Sequence, residues 1–389
     1  MQKANQSRGL RFLSKVIITV GLISAAIAYQ APAQNVYTQP VGFYTATCTN
    51  FSDSLVSIPF TQMPQFSGTV SAKSGNEITV NGSPTWTLNQ WATASPNGYL
   101  PYYVQVTSNA GGGTYSGAYY TILSNDVSGD LFVGFANSGL ASDNDLAGIN
   151  AGDYVNIFPF WTLGSVFTNG QGYVASTGTT TGTRRTQILF PNLSFVGENP
   201  PTATSYYFFN NGWRRFFPTG ANPASNFNDA VIAPDQYVTV RNVTNATDVT
   251  TFMGIGQVVT YPVRIPLFAS APPAIGQDNV LGIYRPAVQT FAQSGLSNAV
   301  LASTATTTLG RRDQVLLFDN TQQGQNKGVS QGFYYFNNGW RRFFPTGTSP
   351  AVDFSQSNVF LTTQGFFLRK ATNGVSVSTL TTWVNQPNY

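Results

Sequence analysis

Residues 209–220, FNNGWRRFFPTG, recur letter for letter at residues 336–347. In each copy two aromatic runs flank a polar centre, and a double arginine follows the tryptophan. Asn-Gly is the strongest short hairpin signal because both residues tolerate positive φ. The stretch therefore reads as a β-hairpin turning at Asn211-Gly212. That register expects Phe209 opposite Arg214 and Phe208 opposite Arg215. In the second copy it expects Phe336 opposite Arg341 and Tyr335 opposite Arg342. One side of the ribbon then carries Tyr206, Phe208, Trp213, Arg215 and Phe217, and the other Tyr207, Phe209, Arg214 and Phe216. Each arginine is expected against an aromatic ring, a contact worth about 0.5–2 kcal/mol.

A ribbon apolar on both faces is either packed between layers or exposed for binding. In the first case the hairpins are framework. In the second, Trp213, Arg214 and Tyr207, with Trp340, Arg341 and Tyr334, form twin platforms for a sugar, a peptide or a neighbouring subunit. Burial is the usual fate of Trp and Phe, which favours framework.

The repetition runs beyond the twelve residues. At a constant offset of 127, TTTGTRRTQILF (179–190) lies over TTTLGRRDQVLL (306–317). Downstream the offset becomes 128, and VIAPDQYVTVRNVTN (231–245) lies over VFLTTQGFFLRKATN (359–373), with Arg241 on Arg369. Register kept over such a length reads as one β module made twice. Short β-branched and aromatic runs punctuated by Gly and Pro give an all-β reading throughout. Between 66 and 160, FSGTVSAKSGNEITVNG, YYVQVTS, AYYTILSN, DLFVGF and GDYVNIFPFW read as strands of a small barrel or sandwich.

The N-terminus has a different character. Lys3, Arg8, Arg11 and Lys15 precede an apolar run at 16–28, and Ala31-Pro32-Ala33 follows as a cleavage signal. That is the pattern of a secretory signal peptide. The expected organisation is thus a signal peptide at 1–33, the start of a first β module at 34–65, and a small β domain at 66–160. The first NNGWR module follows at 161–250 and the second at 251–389. The small domain is either inserted in the first module or N-terminal and in series with it. The echo of FSDSLVSIPF (51–60) in GQDNVLGIYRP (276–286) favours insertion.

Composition narrows the chemistry. The leader holds four of the 19 basic residues and none of the 15 acidic ones, so the remaining chain carries 15 of each. A neutral chain gives no reason to expect nucleic acid as a partner. Only 9% of residues are charged, which weakens resistance to self-association. No stretch after the leader is apolar enough for a membrane-spanning helix. The chain has no histidine and a single cysteine, Cys48, which excludes Ser–His–Asp and Cys–His catalysis and internal disulfides. Its two glutamates, Glu77 and Glu198, are far apart in sequence. No enzyme activity and no cofactor are expected. The one candidate metal loop, SDNDLAGINAGD (142–153), offers Asp143, Asp145 and Asp153, but lacks the glycine and terminal glutamate of an EF-hand. Asp caps in a turn are the plainer reading.

QPVGFYTATCTNFSDSLVSIPF, AGDYVNIFPFWTLGSVF and YYFFNNGWRR resemble a family of exported bacterial β-rich proteins with a repeated NNGWR-type element. Most members of that family carry one arginine after the tryptophan, so the doubled arginine here departs from the pattern. The resemblance implies export and β architecture, and supplies no catalytic residue to transfer. The expectation is an exported, non-catalytic structural or adhesion protein in the periplasm, on the cell surface or outside the cell. Its expected partners are itself or cell-surface components. The alternatives are a glycan-binding protein using Trp213 and Trp340, and an outer-membrane β-barrel.

Overall fold

The structure, a computed structural model, describes residues 39–82, 84–134, 146–168, 171–218, 224–243, 249–268, 276–346, 350–370 and 381–389. Residues 1–33, expected from sequence to be a signal peptide, lie outside them. Strands dominate, and the chain is all-β.

In the N-terminal half, β1 (Val41–Cys48) pairs antiparallel with β15 (Thr250–Gln257) as a two-stranded ribbon. Behind it stands a five-stranded sheet of β2 (Ser52–Ser57), β10 (Thr186–Pro191), β11 (Thr202–Phe209), β12 (Gly212–Phe217) and β14 (Tyr237–Asn242). Its order is β12-β11-β10-β14-β2. Alternation along β1 turns Tyr44, Ala46 and Cys48 inward, where they meet Phe252, Ile188, Phe208, Trp213 and Val240 in one core. Burial pushes the Cys48 thiol up to about 12. It therefore stays protonated, a small apolar residue in effect.

The C-terminal half repeats this order. Here β16 (Val263–Leu267) pairs with β24 (Thr381–Asn385). The sheet behind contains β17 (Gln277–Leu281), β19 (Gln314–Leu317), β20 (Gln331–Phe336), β21 (Gly339–Phe344) and β23 (Phe366–Lys370), in the order β17-β23-β19-β20-β21. Its core gathers Phe291, Phe333, Trp340, Phe360, Leu368 and Trp383.

Smaller elements match as well. In the first half β9 (Trp161–Thr162) pairs with β13 (Val231–Ile232) and leads into α1 (Leu163–Val166). In the second, β18 (Gln289–Thr290) pairs with β22 (Asn358–Phe360) and leads into α2 (Phe291–Ser294). Thr162 and Thr290 cap these single turns with the same reciprocal bonds. The sequence boundary expected at 250/251 falls inside β15. That strand pairs with β1 through Gln257, which places residues 251–257 with the first half.

Between β2 and β9 run the remaining six strands: β3 (Phe66–Ser74), β4 (Glu77–Val80), β5 (Tyr102–Ser108), β6 (Tyr119–Asn125), β7 (Asp130–Gly134) and β8 (Tyr154–Pro159). They close into a barrel in the order β3-β4-β7-β6-β5-β8. Period-two alternation sends Ile78, Val80, Leu131 and Val133 inward to join Val104, Ile122 and Ile157, so side chains fill the lumen. Between β17 and β18 the second half has only residues 282–288. The residues from Val41 to Tyr389 form one compact unit.

Candidate functional site

Both hairpins form, and both turn one residue earlier than Asn-Gly predicts. Asn210 and Asn211 take positive φ of 49° and 57°, and Asn337 and Asn338 take 48° and 56°. Phe209 therefore faces Gly212, Phe208 faces Trp213, Tyr207 faces Arg214 and Tyr206 faces Arg215. In the second copy Tyr335 faces Trp340 and Tyr334 faces Arg341. The slip moves each partner by two residues, so the expected faces survive and the expected pairs do not. The glycine is needed elsewhere. A Cβ on Gly212 would lie 2.9 Å from the Asn226 side chain, and one on Gly339 2.9 Å from Asp353. The glycine admits the loop that closes over each hairpin. Asn can supply the turn because its side chain tolerates left-handed backbone.

That loop buries the tryptophans. The Trp213 backbone N–H donates to Asn228 Oδ1 (3.0 Å), and that of Trp340 to Asp353 Oδ1 (3.1 Å). Trp213 and Trp340 are 0% and 1% exposed. Tyr207 and Tyr334 are equally buried, Arg214 is buried, and Arg341 is half-buried. A ring with no free face cannot stack on a sugar, so the twin platforms proposed from sequence are interior framework. Arg214 donates to the carbonyls of Phe209, Asn210 and Ala224, tying the turn to the loop, and Arg341 donates to Ala351 O.

The rings do receive arginines, from other directions than the ribbon predicts. Arg184 lies over Tyr207 and Phe216 at 5.1 and 4.5 Å, and Arg311 over Tyr334 and Phe343 at 5.4 and 4.9 Å. Arg215 and Arg342 leave the hairpins to cover Phe227 and Phe354 at 4.8 and 4.9 Å. Each contact occurs twice, once per half.

Of the candidate metal residues, Asp143 and Asp145 lie outside the described residues. Asp153 is fully buried and accepts from the backbone N–H groups of Gly111, Gly113 and Asn150. It is a loop cap. Among the described residues no cluster of three metal-ligating side chains occurs.

The strongest polar constellation joins the two halves, and its central feature is reciprocal. Asp53 on β2 binds Arg241 on β14 through both oxygens (2.6 and 2.7 Å). Asn326, from the β19–β20 loop of the other half, donates its backbone N–H to Asp53 Oδ2 (2.7 Å) and accepts from Arg241 (2.7 Å). The mirror arrangement places Asp278 on β17 against Arg369 on β23 (2.7 and 2.9 Å). There Asn199, from the β10–β11 loop, donates its N–H to Asp278 Oδ2 (2.7 Å) and accepts from Arg369 (3.3 Å). Glu198 adds a further oxygen to Arg369 at 2.7 Å.

The edges of the two sheets also bond across the junction. Ser57 N–H donates to Thr363 O across the junction, and Gly282 N–H to Asp235 O. An edge so occupied cannot template another chain. Leu55, Tyr237, Val280 and Phe318 form the apolar centre of the junction. The sequence carries a signal for this clasp outside the hairpins. G-x-N stands at 197–199 and again at 324–326, at the same offset of 127 as the hairpins.

The barrel is fixed at the same junction. Tyr119 donates to Asp235 Oδ1 (2.7 Å), and Gln105 bridges Tyr261 and Tyr284 (2.8 and 3.1 Å). Burial pushes the Asp235 carboxyl from 3.8 up to about 6, and the Tyr119 hydroxyl partly offsets this.

One position differs between the halves in kind. Lys370 and Asp313 form a fully buried ion pair at 2.9 Å, with Thr381 and Ala299 O as further acceptors. Burial lowers the Lys370 pKa. At the matching place in the first half, Asn242 accepts from Thr186 (2.8 Å) and donates to Thr250 (3.2 Å), with no charge.

No family model matches this chain, and no curated protein or solved structure matches it either.

Proposed function

We propose that this chain is an exported, non-catalytic structural or surface protein of the cell envelope. In this reading it is a β module duplicated within one chain, with a barrel inserted in the first copy, and it acts by adhesion or self-association. The observation that carries it is the reciprocal clasp. Asp53, Arg241, Asp278 and Arg369, well-aligned charged groups of the molecule, bind one another and the opposite loop. They hold the two sheets together, and Tyr119 and Gln105 fix the barrel at the same junction, so the parts form a single body, which is what a load-carrying or scaffolding part needs. The leader pattern at residues 1–33 supports the location.

The glycan-platform alternative loses its support with the burial of Trp213 and Trp340. The outer-membrane alternative is opposed by the barrel itself. A spanning barrel turns its apolar residues to lipid and keeps a polar lumen, whereas this one packs Val, Ile and Leu inside.

Fractionation of native cells, with mass measurement of the purified chain, tests the proposal. The expected result is a chain beginning near Gln34, recovered from periplasm, cell surface or medium. A full-length chain with its first 33 residues intact in the cytosol would overturn it.

A further inference from the structure

We infer that the outer face of the β1–β15 ribbon is the surface through which two copies of this chain associate, ribbon against ribbon. This rests on the structural, self-associating reading above and names the surface that reading needs. Val41, Phe43, Met253 and Ile255 point outward and are 56%, 77%, 59% and 68% exposed. Phe43 and Ile255 are direct cross-strand partners, so the apolar side chains form one patch. Neither strand contains an Asp, Glu, Lys or Arg. A groove of about 520 Å³ lies beside Thr45 and Thr47 of the same strand, lined also by Val56, Phe318 and Leu361.

The second half shows what happens to the matching face when it has a partner. The β16–β24 ribbon lies against the barrel. Arg264 N–H donates to Gly117 O (3.3 Å), and its guanidinium covers the Tyr115 ring at 4.5 Å. The approach is so close that a Cβ on Gly117 would lie 2.4 Å from Pro262 O. Among the described residues the barrel thus meets this ribbon at Arg264 of β16 and at Pro262 just before it. On the first ribbon the outward side chains of Val41, Phe43, Met253 and Ile255 are exposed.

A second copy fits this face better than other occupants. An uncharged apolar ribbon is complementary to itself, which is all a two-fold contact requires. Phe43 of one copy can cover Ile255 of the other, and a chain with 15 charges of each sign after its leader adds little repulsion. A lipid-binding face would ring its apolar residues with Lys and Arg, and these two strands carry none.

Sedimentation equilibrium of the mature chain through the micromolar range tests the inference. The comparison is with a Phe43→Thr/Ile255→Thr variant and a Leu309→Thr control at an exposed leucine elsewhere. Threonine keeps strand propensity, and thermal melting checks that each variant folds. The expected result is a dimer whose dissociation constant rises at least about tenfold in the double variant and stays unchanged in the control. A monomer at every concentration, or a dimer indifferent to the double substitution, would overturn the inference. So would a monomer that instead sediments with phosphatidylethanolamine vesicles in a Phe43-dependent way. A monomer still recovered from the cell envelope refutes the ribbon contact alone; recovery in the cytosol refutes the envelope reading itself.

Discussion

Asn326 reaches from one half of the molecule to Asp53 of the other, donating its backbone N–H to the carboxylate at 2.7 Å. Asn199 does the same to Asp278 in the opposite direction, at 2.7 Å. Both asparagines hold left-handed backbone, with φ of 51° and 57°. Their N–H groups are thus presented by strained turns that only a few residue types tolerate.

Because each carboxylate serves an arginine and a crossing N–H, Asp53→Ala strips the N–H of its acceptor and leaves Arg241 only Asn326. The expected cost is about 2–4 kcal/mol, with a similar loss for Asp278→Ala. Urea denaturation of the two single variants checks this. A change below about 0.5 kcal/mol in both would mean the clasp is incidental to stability.

Truncating a fully buried indole leaves a cavity. Trp213→Ala and Trp340→Ala are each expected to cost about 3–5 kcal/mol, measured by thermal or chemical unfolding. Neither indole N–H has a hydrogen-bond partner. Trp→Phe at either place therefore loses volume but no bond, and is expected to cost less than half as much as Trp→Ala. Equal costs for Phe and Ala would show that ring packing is not what the indole contributes.

The junction carboxylate Asp235 gives a pH signature. Its folded pKa, about 6, is raised above the ordinary 3.8, so the folded state binds the proton more tightly than the unfolded one. The resulting stabilisation is complete below pH 3.8 and is lost as pH rises through 6. Asp235→Asn stays neutral throughout and keeps an acceptor for Tyr119. Relative to the parent it is expected to gain about 2–3 kcal/mol between pH 4 and pH 8. Parallel stability curves for the two proteins across that range would contradict the assignment.

The buried pair Lys370–Asp313 and the neutral set Asn242–Thr186 occupy matching places. Lys370→Asn alone leaves a buried carboxylate without its cation, at an expected cost of about 3–5 kcal/mol. Adding Asp313→Thr imports the sister half's chemistry and is expected to recover most of that loss. A double-mutant cycle with coupling below about 0.5 kcal/mol would show the two sites to be independent.

Cys48 has no exposed surface and a thiol pKa pushed up to about 12. Modification by a thiol reagent is expected only at the rate of global unfolding. Rapid labelling of the native protein would place the thiol at the surface.

Much of this was legible along the chain. Alternation in the hairpins assigned each residue to its face, and constant offsets aligned Arg184 with Arg311 and Arg241 with Arg369. The turn position was misread because Asn-Gly satisfies local backbone preference equally well at two registers. What selects between them is Asn226, fourteen residues beyond Gly212, or Asp353 beyond Gly339. The partners of the arginines were misread for a related reason. A guanidinium on a long side chain reaches whichever ring the fold brings near, and Arg184 meets Tyr207 only once β10 and β11 pair.

By itself the sequence determined the class of structure: strands, turns, a leader pattern, and the shortage of charge and of histidine. These follow from local backbone preference and side-chain chemistry, which need no knowledge of distant residues. Only the tertiary structure decided that the tryptophans are interior and that the two halves grip each other through Asp53 and Asp278. It alone left the outer face of one ribbon exposed while the barrel met the other at Arg264. Burial and partnership are properties of surfaces brought together from far along the chain, and no local pattern encodes which of two like faces will be covered.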